Sequence, residues 1–371
     1  MTDFNKQSLN PRILVAPLDW GLGHATRCVP IIKELINHGC EVYIAADKSI
    51  FYLLKKEFPS SVFLRCEGYE IRYGRNPKAF FFTMFLQFPK ILFRVFRENR
   101  WLIKIVKEHK IDAVISDNRF GMYHKKIPSI YITHQLQIKT GNVLTDFLVQ
   151  KINNFFINKY SICWVPDEKE NGLGGELSHP KNTPTNIEYM GILSRFHSIF
   201  SEKIYDILIT ISGPEPQRSI FEKKILNELK SFSKSVLLIR GLPDSNNLLN
   251  SNNPLVKIIN HLTAPELNKS FEQSKMIIGR SGYTTIMDLT ALKKKAILIP
   301  TPGQNEQEYL AEYLLKKKYF LSVEEDKFSI EAALKSASLF EFKTFDFSTD
   351  GYKKVIKEFV LSLKSVNFAP Q

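Results

Sequence analysis

Ile13-Leu14-Val15-Ala16-Pro17-Leu18 runs straight into Asp19-Trp20-Gly21-Leu22-Gly23-His24-Ala25-Thr26-Arg27, and the reading of this stretch decides the fold. Six uncharged residues in a row read as a strand buried on both faces. The glycines that follow permit a tight turn and close backbone approach to a ligand, and a helical pattern takes over around 28–38. Strand, glycine turn and helix form the opening of a βαβ unit, which predicts a parallel sheet.

The alternation continues on either side. Strands are expected at 41–46, 112–116 and 129–133, with a short one at 164–165. After 188–192 it restarts with Asp206-Ile207-Leu208-Ile209-Thr210-Ile211 and continues at 235–240, 256–260, 276–279 and 296–300. A chain of 371 residues is long for one core and fits two. The break is expected in the polar stretch 193–201. That gives an N-terminal Rossmann-like half (1–195), a C-terminal Rossmann-like half (196–345) and a last segment (346–371) whose helix packs back on the first half.

The formal charge of +13 favours anionic partners, among them nucleic acid, acidic headgroups and phosphorylated small molecules. No recognised nucleic-acid module accompanies it, so no nucleic acid is expected. The four cysteines (Cys28, Cys40, Cys66, Cys163) are scattered without metal-ligand spacing and read as reduced, which points to the cytoplasm. The polar N-terminus lacks a signal-peptide core. Residues 80–101 (FFFTMFLQFPKILFRVFRENRW) mix aromatics with Lys90, Arg94, Arg97 and Arg100, a pattern suited either to an anionic membrane surface or to core helices with solvated charges.

Three stretches carry chemistry. The first is the opening turn, where Gly21 and Gly23 bring backbone N–H groups towards an anion and His24 stands at the tip as a general base or phosphate ligand. A tight turn with a capping histidine is the plainer alternative. The second is Gly279-Arg280-Ser281-Gly282-Tyr283-Thr284-Thr285-Ile286-Met287-Asp288, a strand end and helix start whose Ser281, Gly282 and free N–H groups suit a phosphate. Asp288 further along could accept ribose hydroxyls or be a solvated helix residue. The third is Gln304-Asn305-Glu306-Gln307, amides and a carboxylate opening another helix, suited to sugar hydroxyls or simply to the helix dipole. Asp117 and His134 each end an expected strand, where a carboxylate or imidazole serves either as a cleft group or as a cap.

In order and spacing these stretches resemble the MurG-like glycosyltransferases (family 28), over most of the chain and most strongly in its second half. The resemblance implies a GT-B fold of class α/β, two Rossmann-like domains facing each other across a cleft. It implies an inverting, metal-independent enzyme that moves a sugar from a UDP-sugar to a hydroxyl acceptor, lipid-linked or part of a cell-envelope glycan. The nucleotide sugar is a substrate and no cofactor is expected. Arg280, Ser281, Gly282 and Thr285 then lie near the diphosphate, Asp288 (commonly Glu in the family) holds the ribose, and Gln304, Glu306 and Gln307 face the donor sugar.

Two departures stand out. Ser212-Gly213-Pro214-Glu215-Pro216-Gln217-Arg218 occupies the place of a glycine- and serine-rich loop, with two prolines that remove N–H donors, so Gly213 and Arg218 are the expected phosphate contacts there. Leu310 stands where the family has asparagine. The catalytic base is expected to be His24, with Asp117 and His134 in reserve. A PseG-type nucleotide-sugar hydrolase, a nucleotide-sugar 2-epimerase and a non-catalytic nucleotide-sugar-binding protein remain open alternatives. The expected location is cytoplasmic, with peripheral contact to the inner membrane face through 80–101.

Overall fold

The computed structural model describes residues 10–19, 22–69, 77–140, 142–181, 184, 186–243, 245–344 and 346–366. The first half runs β1 (Arg12–Pro17), α1 (Leu22–Asn37), β2 (Glu41–Ala46), α2 (Lys48–Glu57), β3 (Val62–Arg65), α3 (Pro77–His109), β4 (Ala113–Asp117), β5 (Ser129–Ile132), α4 (Val143–Ile157), β6 (Ile162–Val165) and β7 (Ile187–Tyr189). The second half runs β8 (Tyr205–Thr210), α5 (Gln217–Leu229), β9 (Val236–Ile239), β10 (Val256–Ile259), α6 (Ala264–Glu272), β11 (Ser274–Gly279), α7 (Tyr283–Ala291), β12 (Ala296–Leu298), α8 (Asn305–Lys316), β13 (Leu321–Ser322) and α9 (Ile330–Leu339). The closing helix is α10 (Gly351–Val366).

Each half is one parallel sheet. The first has the order β3-β2-β1-β4-β5-β6-β7 and the second β10-β9-β8-β11-β12-β13. The uncharged runs earn the central places: Ile13, Leu14, Val15 and Ala16 of β1 and Leu208 and Ile209 of β8 are fully buried. Helices cover both faces of these strands, which is why they read as continuous apolar runs rather than alternating ones. Trp164 on β6 is buried and meets Phe359 of α10 edge-on, with ring centroids 5.3 Å apart. Lys364 of the same helix donates to the His38 carbonyl at 3.0 Å, so α10 lies on the first half.

The structure corrects three local expectations. The first helix begins at Leu22, so His24 sits in its first turn and not on a loop tip ahead of it. β3 and β13 were not among the expected strands; β3 is a half-exposed edge of four residues and β13 has two, too little pattern to stand out. Residues 80–101 belong to a single 33-residue helix, α3, with Pro89 inside it, and not to several helices. No helix among the described residues is long and apolar enough to cross a membrane.

The halves meet along the C-terminal ends of their strands. Tyr283 donates to the Pro166 carbonyl at 2.9 Å, Thr284 to the Gly23 carbonyl at 3.2 Å, and Tyr313 to the Gly172 carbonyl at 3.1 Å. Asp167, buried beneath, accepts from the N–H groups of Leu173 and Gly174 and from the Ser178 hydroxyl, which shapes the loop these tyrosines touch. Beside these hydroxyl–carbonyl bonds the halves share the His134–Glu306 pair and one apolar cluster that takes in residues of both.

Candidate active site

In both sheets the strand order reverses beside the first strand of the half, between β1 and β4 and between β8 and β11. Loops leaving the sheet at such a point diverge and leave a crevice for a ligand. The turn after β1 carries Gly23 and His24, β4 ends on Asp117, the turn after β8 carries Gly213, and Arg280-Ser281-Gly282 leave β11. Gly21 lies outside the described residues.

His24, Asp117 and His134 come together around a residue to which the sequence assigned no role, Arg27. Starting α1 at Leu22 puts Arg27 three positions after His24, on the same helix face. Its guanidinium is 2% exposed and donates to both oxygens of Asp117, with Nε to Oδ2 at 3.1 Å. It also reaches Nδ1 of His24 and Nδ1 of His134, each at 3.0 Å. Burial works against the Arg27 charge, but Asp117 more than restores it and the pKa is raised. For Asp117, burial pushes the carboxyl up while Arg27 and then His24 pull it down to about 2.

These partners separate the three candidate bases. Asp117 is fully buried and paired with Arg27, so an acceptor hydroxyl cannot reach its oxygens. His134 has both nitrogens engaged: Nδ1 accepts from Arg27, and Nε2 lies 2.7 Å from Oε1 of Glu306 on the opposite half. Its ring stacks on Tyr283 with centroids 4.1 Å apart and planes 2° from parallel. Burial, assisted by Arg27, lowers the His134 pKa despite Glu306, which keeps the ring neutral. Only His24 retains a nitrogen, Nε2, with no hydrogen-bond partner among the described residues, while Nδ1 faces Asp117 Oδ1 at 3.3 Å.

In the second half, Gly282 precedes α7, and a Cβ added there would meet nothing within 4 Å, so backbone and helix N-terminus face open space. Thr285 lies in the first turn of that helix and is partly exposed. Gly213 has φ +111°, a conformation that favours glycine at this turn. Ser281 is buried and donates to the Gln307 carbonyl at 2.8 Å, which fixes α8 against the β11 turn. Gln307 accepts from the Thr301 N–H at 3.0 Å and donates to Gln304, so the two amides shape the 301–304 turn. Glu306 remains a third exposed at the cleft.

Three residues expected at the ligand are spent elsewhere. Arg280 is buried, lies 4.1 Å over the Phe221 ring and pairs with Glu325 at 2.6 Å, so its charge is neutralised inside the second half. Arg218 bonds Glu215, Glu222 and the Arg240 carbonyl, which leaves little of its fork for a phosphate. Asp288 accepts from the Ser194 hydroxyl at 2.6 Å and lies 3.7 Å from Arg195, so both oxygens face the segment joining the halves and not a ribose.

The Asp288 environment has a measurable sign. Burial raises its carboxyl to about 6, against Arg195 and Ser194, which pull it down. An unfolded aspartate titrates near ~3.9, so between about pH 4 and 6 the folded chain holds the extra proton. The contribution to stability is therefore full below about pH 4 and lost as pH rises through about 6. Urea titrations of wild type and Asp288→Asn should diverge over that window by about 3 kcal/mol. A pH-independent difference would mean that Asp288 is not buried in this way.

Residues 219–344 match the family model described as the glycosyltransferase family 28 C-terminal domain. The UDP-N-acetylglucosamine--N-acetylmuramyl-(pentapeptide) pyrophosphoryl-undecaprenol N-acetylglucosamine transferase of Clostridium tetani is 24% identical over 322 residues, covering 83% of this chain and 84% of the relative. Among solved structures, the spinosyn rhamnosyltransferase SpnG superposes with TM-score 0.62 at 12% identity, covering 97% of each chain. Acinetobacter baumannii MurG superposes with TM-score 0.51 at 12% identity, covering 96% of this chain and 95% of that one. Two facing parallel sheets, a crevice at both order reversals and these likenesses lead to one conclusion: the chain has the GT-B fold, its residues 219–344 match the glycosyltransferase family 28 C-terminal domain, and along most of its length it is similar to MurG-type transferases.

Proposed function

We propose that the chain moves a sugar from a UDP-sugar to a hydroxyl of a lipid-linked acceptor, with inversion and without a metal, and that His24 is the base. The observation that carries this reading is the free Nε2 of His24 at the crevice, backed at Nδ1 by the ionised Asp117. The base form carries its proton on Nδ1, donated to Asp117 Oδ1 at 3.3 Å, and so requires Arg27 Nη2, which lies 3.0 Å from the same nitrogen, to turn its hydrogen onto Asp117; the Nε2 lone pair then faces the acceptor hydroxyl. The acceptor oxygen then attacks the anomeric carbon from the face opposite the diphosphate. The imidazolium formed finds a carboxylate already in place, so little reorganisation is needed. The diphosphate leaves towards the α7 N-terminus, whose first N–H groups have no partner within the helix.

UDP and a lipid acceptor are supported by the activity that the Clostridium relative is named for. An exposed face of α3 and α4 suits such an acceptor. Phe93 and Phe96 of α3 and Phe147, Leu148 and Phe155 of α4 are exposed, and Lys151 and Lys159 lie over the Phe147 and Phe155 rings at 4.4 and 4.6 Å. Apolar side chains among cations suit an anionic bilayer surface. The side chains of 80–86 and of Phe88 lie outside the described residues, so the reading of 80–101 rests here on its second part and on α4.

A thermal-shift series with UDP, GDP, ADP and dTDP tests the donor. UDP at about 100 times its Kd should stabilise by about 2.7 kcal/mol, and the other diphosphates much less. No shift with any of them would overturn the reading. In the same preparation, phosphatidylglycerol vesicles should co-float the wild type but not Phe93→Ser/Phe96→Ser; equal flotation would remove this face from the proposal.

A further inference from the structure

Arg27 and Glu306 belong to opposite halves, yet one hydrogen-bonded chain joins them through His134. Arg27 Nη1 donates to His134 Nδ1 at 3.0 Å, which fixes the ring proton on Nε2, and that proton is aimed at Glu306 Oε1 at 2.7 Å. Tyr283, at the start of α7, stacks on the ring and stops it from turning over. The same guanidinium holds Asp117 and touches His24. An arginine with one fork on the acceptor-side dyad and another on a bridge to the donor-side helix is more than a counter-ion for Asp117, for which one face of the guanidinium would suffice.

We propose that Arg27 is a positioning residue that sets the geometry of His24 and Asp117 and, through His134, registers them against Glu306 at the start of α8. Base and donor pocket are then aligned when the halves close. This rests on the reading of His24 as base; the bridge itself does not. Lysine cannot replace Arg27, because one ammonium cannot point at Asp117 and His134 from the planar fork's two edges. Glu306→Gln keeps an oxygen that accepts from Nε2–H, whereas Glu306→Ala keeps none.

The test combines turnover of UDP-N-acetylglucosamine with the ring-nitrogen 15N shifts of His134 in the full chain. Arg27→Lys should lose about 100-fold in kcat, with KM changed less than about twofold, since it misplaces the base without touching the donor. Glu306→Ala should lower kcat as well, Glu306→Gln should recover most of it, and the double variant Arg27→Lys/Glu306→Ala should be little worse than either single one. In both single variants the 15N shifts should show His134 losing its single Nε2–H tautomer. Additive kcat losses, wild-type kcat in Arg27→Lys, or unchanged His134 shifts would each overturn the proposal. Glu306 is partly exposed, so its variants test the bridge even if Arg27→Lys fails to fold. Wild-type turnover in His24→Ala would remove the base assignment alone, because the His134 shifts need no turnover to report the bridge.

Discussion

Replacing His24 by alanine should lower turnover of the nucleotide sugar by about 10²–10⁴-fold while UDP binding and thermal stability stay near wild type. The effect is large because general-base assistance comes from one nitrogen. The two other candidates cannot substitute for it: Asp117 is sealed beneath Arg27, and His134 has both nitrogens bonded. Stability is spared because the His24 side chain is 16% exposed and its Nδ1 contacts are additional to the Arg27–Asp117 pair. The measurement is UDP release in steady state with a lipid extract as acceptor source, beside a UDP melting curve. Transfer at the wild-type rate would mean that another group takes the proton.

The second large effect is on folding. Asp117→Ala removes the counter-charge from a guanidinium that is itself 2% exposed, and about 3–5 kcal/mol of stability should be lost, since the orphaned charge stays buried. Asp117→Asn keeps the volume and part of the hydrogen bonding and should lose less. The pH dependence has the opposite sign to that of Asp288. The folded carboxyl is lowered to about 2, so its contribution is present above about pH 4 and lost as pH falls towards 2. Acid unfolding should therefore steepen below about pH 4 in wild type by about 2.6 kcal/mol relative to Asp117→Asn. If Asp117→Ala melted like wild type, the Arg27–Asp117 pair could not be the buried centre of the site.

The same contrast shows how much could be read in advance. β1 and β8 were legible because a strand covered on both faces must be apolar along its length, and that leaves a mark within six residues. The glycine turns and the helix starts after β11 and β12 were legible for a related reason: tight turns and exposed N–H groups restrict the residue types locally. The roles of the charged residues were not. Arg280, Asp288 and Arg218 stand where a ligand contact was expected, yet their partners are Glu325, Ser194 with Arg195, and Glu215 with Glu222. Nothing local marks Arg27, although it lies in the stretch 13–27 that opens the fold. Its importance depends on Asp117, 90 residues away, and on His134, 107 residues away.

By itself, then, the sequence determined the two parallel α/β halves, the placing of turns at the strand ends and the resemblance that names the reaction class. Burial, backbone conformation and helix capping act over a few residues and are written in local pattern. Only the tertiary structure decided which of several polar groups at those strand ends stays available for chemistry. A charge or imidazole acquires its state from what desolvates it and what bonds it, and in this fold those partners come from the other strand of an order reversal or from the other half of the chain. His24, held at Nδ1 by Arg27 and Asp117, keeps Nε2 without a partner among the described residues, while His134 and Glu306 satisfy each other.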